Sequence, residues 1–322
     1  MGSLLVFAGG LALLLVGSEA FVRGAAALAA RLGVAPVIIG MTVVAFGTST
    51  PELVVSVLAA RSGSAGIAFG NVVGSNIANI GLLRGITALV RPLVVHRSMV
   101  TREIPMMLLA CGAGLALAPD GLHSGGADRL ARGDGVALLL FFVVFLYYTI
   151  QDARRQRADV FLEESAAAVP AAPKDGFALM LLLVVGGLAG VVGGGHFLVQ
   201  GAVDLARGWG VPDTVIGLTL VAVGTSVPEL ATSLVAARRG HADLALGNIV
   251  GSNIYNMLFI LGIASSIAPV DVPAGGRIDL LVMTVFSVAL LPLARTGHRL
   301  SRVEGFVLLA GYAAYTAWLV GR

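Results

Sequence analysis

The sequence is short of the residues on which soluble enzymes are built. Only 12% of its 322 residues are charged, whereas a soluble domain carries about a quarter. Cysteine occurs once, at Cys111, which excludes an intramolecular disulfide and a thiolate metal cluster. His96, His123, His241 and His298 lie in expected loops without zinc-binding spacing. His196 stands alone in its half of the chain, and simple packing accounts for it. No nucleophile–base pair is visible, so an intramembrane enzyme finds no support. Lys and Arg exceed Asp and Glu by three, a surplus that a membrane protein places in its inner loops and that needs no nucleic acid. Long polar stretches are missing, with one exception at 151–176, "QDARRQRADVFLEESAAAVPAAPKDG". It is too short for a folded domain, and its Ala, Pro and charge content suits a linker.

What the sequence has is apolar length. Apolar residues make up 57% of the chain, and the mean hydropathy is +0.93, which points to an all-α polytopic protein of the lipid bilayer. Ten spans are expected, near 3–20, 36–60, 66–90, 99–118, 133–151, 176–200, 213–237, 242–267, 278–294 and 303–320. The opening "MGSLLVFAGGLALLLVGSEA" has no basic n-region, so it reads as a first helix rather than a cleaved signal. With the N-terminus outside, fourteen Lys and Arg residues fall in inward loops and six on the outward side. That asymmetry predicts both termini outside and the linker in the cytoplasm. Arg84 is the only arginine well inside an expected span rather than in its first turn, and snorkelling of its stem is the simplest account. Asp204 reads as an interfacial residue.

The two halves repeat. Residues 41–80 align with 218–257 without a gap at an offset of 177, and 24 of the 40 positions are identical. Five spans per half is an odd number, so the second copy enters from the opposite face. This is the inverted-repeat plan of secondary transporters, whose substrate site lies at the midplane between halves. The expected division is a first five-helix repeat at 1–152, a cytoplasmic linker at 153–175 and a second repeat at 176–322.

Each copy carries "GTS-x-PE" on its second span and "GN-x-VGSNI-x-N" on its third. Pro51 and Pro228 lack the N–H that would bond the carbonyls of Gly47 and Gly224, so the second and seventh helices are expected to break. Under-bonded carbonyls at 45–48 and 222–225 are tolerable at bilayer depth only where they line a cavity or bind something. Glu52 and Glu229 each fall seventeenth in their spans and lean toward one another across the midplane. Two carboxylates among carbonyl and hydroxyl oxygens form a hard-cation site suited to Ca2+, and an intramembrane carboxylate is functional by default. The hydroxyls of Thr48, Ser49, Thr225 and Ser226 add candidates suited to Na+. Ser75 with Asn79, and Ser252 with Asn256, lie one turn apart and present hydroxyl and amide oxygen to the same cavity. Asn76 and Asn253 accompany them.

These motifs resemble the alpha repeats of the cation/calcium exchanger superfamily, in the sodium/calcium exchanger branch, and the likeness covers essentially the whole chain. The resemblance implies a Na+/Ca2+ antiporter without cofactor, of the bacterial or archaeal type without regulatory domains, in the plasma (inner) membrane. It implies Glu52 and Glu229 as central ligands, with Thr48 and Thr225 completing the Ca2+ site. Ser49, Ser75, Asn79, Ser226 and Ser252 would line the Na+ sites, helped by backbone oxygens of Ala45 and Ala222. Asn256 joins this set, although exchangers of the branch often carry aspartate there, so the cavity holds two formal negative charges rather than three. The family's usual exchange of three Na+ for one Ca2+ would move net charge and export Ca2+. The rival readings are coupling to H+ or K+ on the same fold, and a cation channel, against which fused inverted repeats argue. The sequence names no protein partner.

Overall fold

A computed structural model of the chain describes residues 2–62, 65–95, 99–118, 128–164, 176–209, 222–295 and 299–321. The architecture is all-α. Helix α1 spans Gly2–Leu32, and α2 (Pro36–Thr48) and α3 (Thr50–Arg61) form a bent pair. There follow α4 (Gly66–Val90), α5 (Met99–Leu117), α6 (Arg132–Glu164) and α7 (Phe177–Gly208). After a single turn at Ala222–Gly224 come α8 (Val227–Arg238), α9 (Ala242–Ile267), α10 (Gly276–Arg295) and α11 (Arg302–Gly321). Among the described residues, seven helices are long and apolar enough to cross a membrane, or eight with the bent pair, against the ten spans expected. The expected span 213–237 begins on residues outside those described, and 303–320 is helical as α11 without entering that count.

Several helices outrun their expected ends because charge at their tips finds partners. Helix α1 continues from residue 20 to Leu32. Its Glu19 is paired with Arg239, whose Nε lies 3.0 Å from the carboxylate. Its Arg31 guanidinium lies 5.4 Å from the centre of the Phe177 ring, a cation–π contact. Helix α6 continues through Glu164 into the expected linker, on a run of Arg, Gln, Ala, Leu and Glu that favours helix. Residues 165–175 of that linker lie outside the described residues.

Helices α1 and α7 pack along two glycine stripes of seven-residue spacing, Gly10, Gly17 and Gly24 against Gly187, Gly194 and Gly201. A Cβ on Gly17 would fall 2.6 Å from the Gly190 carbonyl carbon, and one on Gly194 would fall 2.3 Å from the Leu14 nitrogen. Only glycine lets the backbones approach this closely, and small residues are what brings helices together in lipid.

The two halves are also joined by short antiparallel strand pairs. Strand β1 (Leu93–Val94) pairs with β4 (Arg299–Leu300), and β2 (Arg129–Leu130) pairs with β3 (Val270–Asp271). Each pair takes one strand from each half. Helix α9 is the most enclosed of the candidate spans, with 94% of its apolar window buried. Gly247 and Gly251 admit α2 to its surface, since a Cβ at either would meet α2 backbone at 2.5 and 2.7 Å.

Candidate cation site

The site forms where α2 breaks. Helices α2 and α3 meet at 47°, and the residue between them, Ser49, has left helical geometry at φ −81°, ψ 8°. Ser226 holds the matching place before α8 at φ −89°, ψ 4°. Proline follows two residues later in each copy, at the first turn of the new helix, where its missing N–H costs least. Glu52 and Glu229 therefore sit in the first turns of α3 and α8, where free N–H groups and the helix dipole favour negative charge. The expected break is present in α2, while residues 210–221 of its counterpart lie outside the described residues. One detail differs from expectation. The Ala45 carbonyl already accepts the Ser49 N–H at 3.0 Å and lies 3.5 Å from Thr48 Oγ1, so it is less under-bonded than expected.

The break turns each serine toward the other half. Ser49 Oγ donates to Glu229 Oε1 at 2.9 Å, and Ser226 Oγ donates to Glu52 Oε1 at 3.3 Å. Thr48 Oγ1 donates to Asn248 Oδ1 at 3.1 Å, and Thr225 Oγ1 to Asn71 Oδ1 at 3.4 Å. Asn79 Nδ2 donates to Asn253 Oδ1, and Asn256 Nδ2 to Asn76 Oδ1, both at 3.0 Å. In every case residue i meets j of the other half while j meets i, the isologous pattern of a twofold axis. Asn76 and Asn253 lie beside that axis, with Asn76 Nδ2 3.3 Å from the Asn253 carbonyl oxygen.

Glu52 is 1% exposed and Glu229 0%. The hydrogen bonds leave a consistent remainder. Glu52 Oε2, Glu229 Oε2, Ser75 Oγ, Ser252 Oγ, Asn79 Oδ1 and Asn256 Oδ1 are buried and have no hydrogen-bond partner. These are three pairs at the repeat offset, all oxygen. A buried unsatisfied polar group costs about 1–3 kcal/mol, so six approach the net stability of a whole domain, about 5–15 kcal/mol. A fold retains such a set where something else supplies the missing partner. Oxygen acceptors with two carboxylates suit a hard cation of the alkali or alkaline-earth kind. Among the described residues there is no cluster of three or more His, Cys, Asp or Glu side chains, which a transition metal would favour.

The structure thus pairs Ser49 with Glu229 and Ser226 with Glu52, joins Asn79 and Asn256 to a separate group with Asn253 and Asn76, and leaves Ser75 and Ser252 as buried hydroxyls without a hydrogen-bond partner. Thr48 Oγ1 also lies 3.0 Å from the Val44 carbonyl oxygen of its own helix, so the single proton of each threonine is taken up by neighbouring acceptors and each offers a cation lone pairs only. Ala222 lies in the turn Ala222–Gly224. His196 and Asp204 are exposed on α7, away from this assembly. Four residues outside the expected ligand set hold it in place. Asn71 donates to the Glu52 carbonyl at 3.1 Å and to Ser56 Oγ at 3.0 Å, and Asn248 does the same to Glu229 and Ser233 at 3.4 and 2.9 Å. Asn76 and Asn253 fix the amides of Asn79 and Asn256 so that oxygen, not nitrogen, is left over. The signal for Asn71 and Asn248 was the "GN" dipeptide in both copies. Asn79 and Asn256 stand at the π-helical turns Asn79–Leu83 and Tyr255–Ile260, a distortion common at functional positions.

The family model for "sodium/calcium exchanger protein" matches residues 2–151 and 179–321. The chain belongs to the sodium/calcium exchanger family. It is 40% identical over 312 residues to the putative antiporter CaxA of Alkalimonas amylolytica, covering 95% of each chain. It is 34% identical over 332 residues to the sodium/calcium exchanger MaX1 of Methanosarcina acetivorans, again covering 95% of each. A solved structure of the sodium-calcium exchanger NCX_Mj matches with a TM-score of 0.83 at 32% identity, over 98% of both chains. As a member of this family the protein is a multi-pass membrane cation/Ca2+ antiporter and not an enzyme. Na+ and Ca2+ are substrates of such exchangers, not cofactors.

Proposed function

We propose that this antiporter exports Ca2+ in exchange for Na+ by alternating access, with net charge movement. The six unpartnered buried oxygens in three twofold pairs carry the reading. Glu52 and Glu229 supply two negative charges to match one Ca2+, with Thr48 and Thr225 beside them. Ser49, Ser226, Ser75, Ser252, Asn79 and Asn256 supply uncharged oxygens for Na+, joined by the backbone oxygens of Ala45 and Ala222. Serine and amide oxygens suit a monovalent ion, whose weaker field does not demand a carboxylate at each position. The membrane is the plasma (inner) membrane, with both termini outside and 153–175 cytoplasmic between repeats at 1–152 and 176–322.

The deciding experiment is radiolabelled Ca2+ flux in proteoliposomes with an imposed gradient of Na+, K+ or H+ in turn. Flux driven by Na+ alone is the expected result. Flux that follows the pH gradient or the K+ gradient instead would overturn the choice of coupling ion. Flux that neither saturates nor depends on a counter-ion would overturn antiport through this site.

A further inference from the structure

Arg84 does not snorkel. It is 3% exposed, six residues before the end of α4 and so about 9 Å along the helix from Val90. Its Nε and Nη2 have no hydrogen-bond partner, and among the described residues no carboxylate pairs with it. At the repeat offset its counterpart is Leu261, so the twofold core does not require an arginine here. Guanidinium stays charged in proteins, and a buried charge without a counter-charge is among the least tolerable features of a fold in lipid.

The group faces a cavity of about 10 Å3, room for the centre of one water-sized sphere and little more. Its other described walls are Val95, Met99, Ile104, Leu246, Leu290 and Leu300. A water molecule needs two to four polar partners. Among these described side chains, Arg84 offers donors and none offers an oxygen acceptor for the water's own hydrogens. A monatomic anion needs donors only. The adjoining segments, 91–102 "RPLVVHRSMVTR" and 292–302 "PLARTGHRLSR", contain Arg and His and no Asp or Glu. The nearest carboxylate in sequence, Glu103, is engaged by Arg102 at 2.6 Å. These segments therefore supply no carboxylate to balance the guanidinium.

We propose that Arg84 anchors a buried site for one small monovalent anion of the halide class, enclosed by α4, α5, α9, α10 and the β1–β4 pair. The cavity is too small for phosphate, sulfate or a lipid headgroup. Chloride is the abundant ion of this class, and bound there it neutralises the guanidinium and holds five elements together. This site is separate from the cation site and does not rest on the coupling ion proposed above.

The test uses the purified full chain in detergent, with choline as the only added cation so that the cation site stays out of the comparison. The thermal midpoint is measured in choline chloride, bromide and gluconate at one ionic strength. Wild type is expected to melt several degrees higher in chloride or bromide than in gluconate, which is too large for the cavity. Arg84→Leu, which installs the residue of the other repeat, is expected to lose that difference. Equal midpoints for wild type in chloride and gluconate would overturn the proposal, as would a difference that persists in Arg84→Leu. Should Arg84→Leu fail to fold, anomalous scattering from wild-type crystals grown in bromide decides. A peak within hydrogen-bonding reach of Arg84 Nε and Nη2 supports the site, and an empty cavity refutes it.

Discussion

Ser49 donates its hydroxyl proton to Glu229, 2.9 Å away in the other half of the chain. The reciprocal bond from Ser226 to Glu52 means that each carboxylate is held by the repeat to which it does not belong. Structure and chemistry at the site follow from that exchange.

Glu52→Gln or Glu229→Gln removes one of two charges opposing a divalent ion while preserving shape. Breaking a buried charge pair costs about 3–5 kcal/mol, so Ca2+ transport is expected to fall at least about a hundredfold in either variant. Flux in proteoliposomes, with size-exclusion chromatography as the folding control, reads the result. Near-normal exchange by either variant would remove the assignment.

Asn248 links Thr48 of the first repeat to the Glu229 carbonyl and Ser233 of the second. Asn248→Ala is expected to cost about 1–3 kcal/mol and to weaken Ca2+ binding by about tenfold or more. Thr48→Val and Asn248→Ala should be non-additive in a double-mutant cycle. Strict additivity would show that the contact carries no coupling between repeats.

Potassium should be dispensable. Ca2+ and K+ together bring three positive charges against two carboxylates, and the amides of Asn79 and Asn256 contribute dipoles without charge. The uncompensated charge would be buried at 0–1% exposure, which is strongly disfavoured. Na+-driven Ca2+ flux in potassium-free choline buffer at clamped voltage is expected to proceed unchanged when K+ is added. A K+ requirement would mean that another carboxylate reaches the cavity.

Three Na+ for one Ca2+ moves one net charge per cycle. A charge crossing about 100 mV gains or loses about 2.3 kcal/mol, so a potassium–valinomycin potential should shift Ca2+ flux in proteoliposomes, inside-negative favouring Na+ entry. Flux indifferent to voltage would instead mean an electroneutral cycle, either two Na+ for one Ca2+ or a proton carried on one glutamate.

Much of this was legible in the sequence because duplication makes a motif stand out. Glu52 and Glu229 were marked by their depth, their prolines and their second copies. Their holders were less visible. Asn71 and Asn248 act across the halves, 154 and 200 residues from Thr225 and Thr48, and no local pattern announces a bond at that distance. The length of α1 was misread because Glu19 and Arg31 suggested an interface, whereas each finds a partner. The seven-residue glycine stripes of α1 and α7 resemble ordinary apolar sequence until the partner helix is known. Arg84 was visible as an anomaly, but its enclosure was not, since the cavity walls come from four helices and a strand pair.

Cys111 Sγ and Ser287 Oγ lie 3.4 Å apart, a contact between α5 of the first half and α10 of the second at the seam. Because the hydroxyl that bonds each carboxylate comes from across that seam, a half-length polypeptide would own one carboxylate without the serine that holds it. The smallest unit able to hold an ion is therefore two copies facing opposite ways. An ancestor of half this length could have worked only as a pair of chains inserted in both orientations. Fusing the two copies into one chain fixes their ratio and their opposed directions at synthesis.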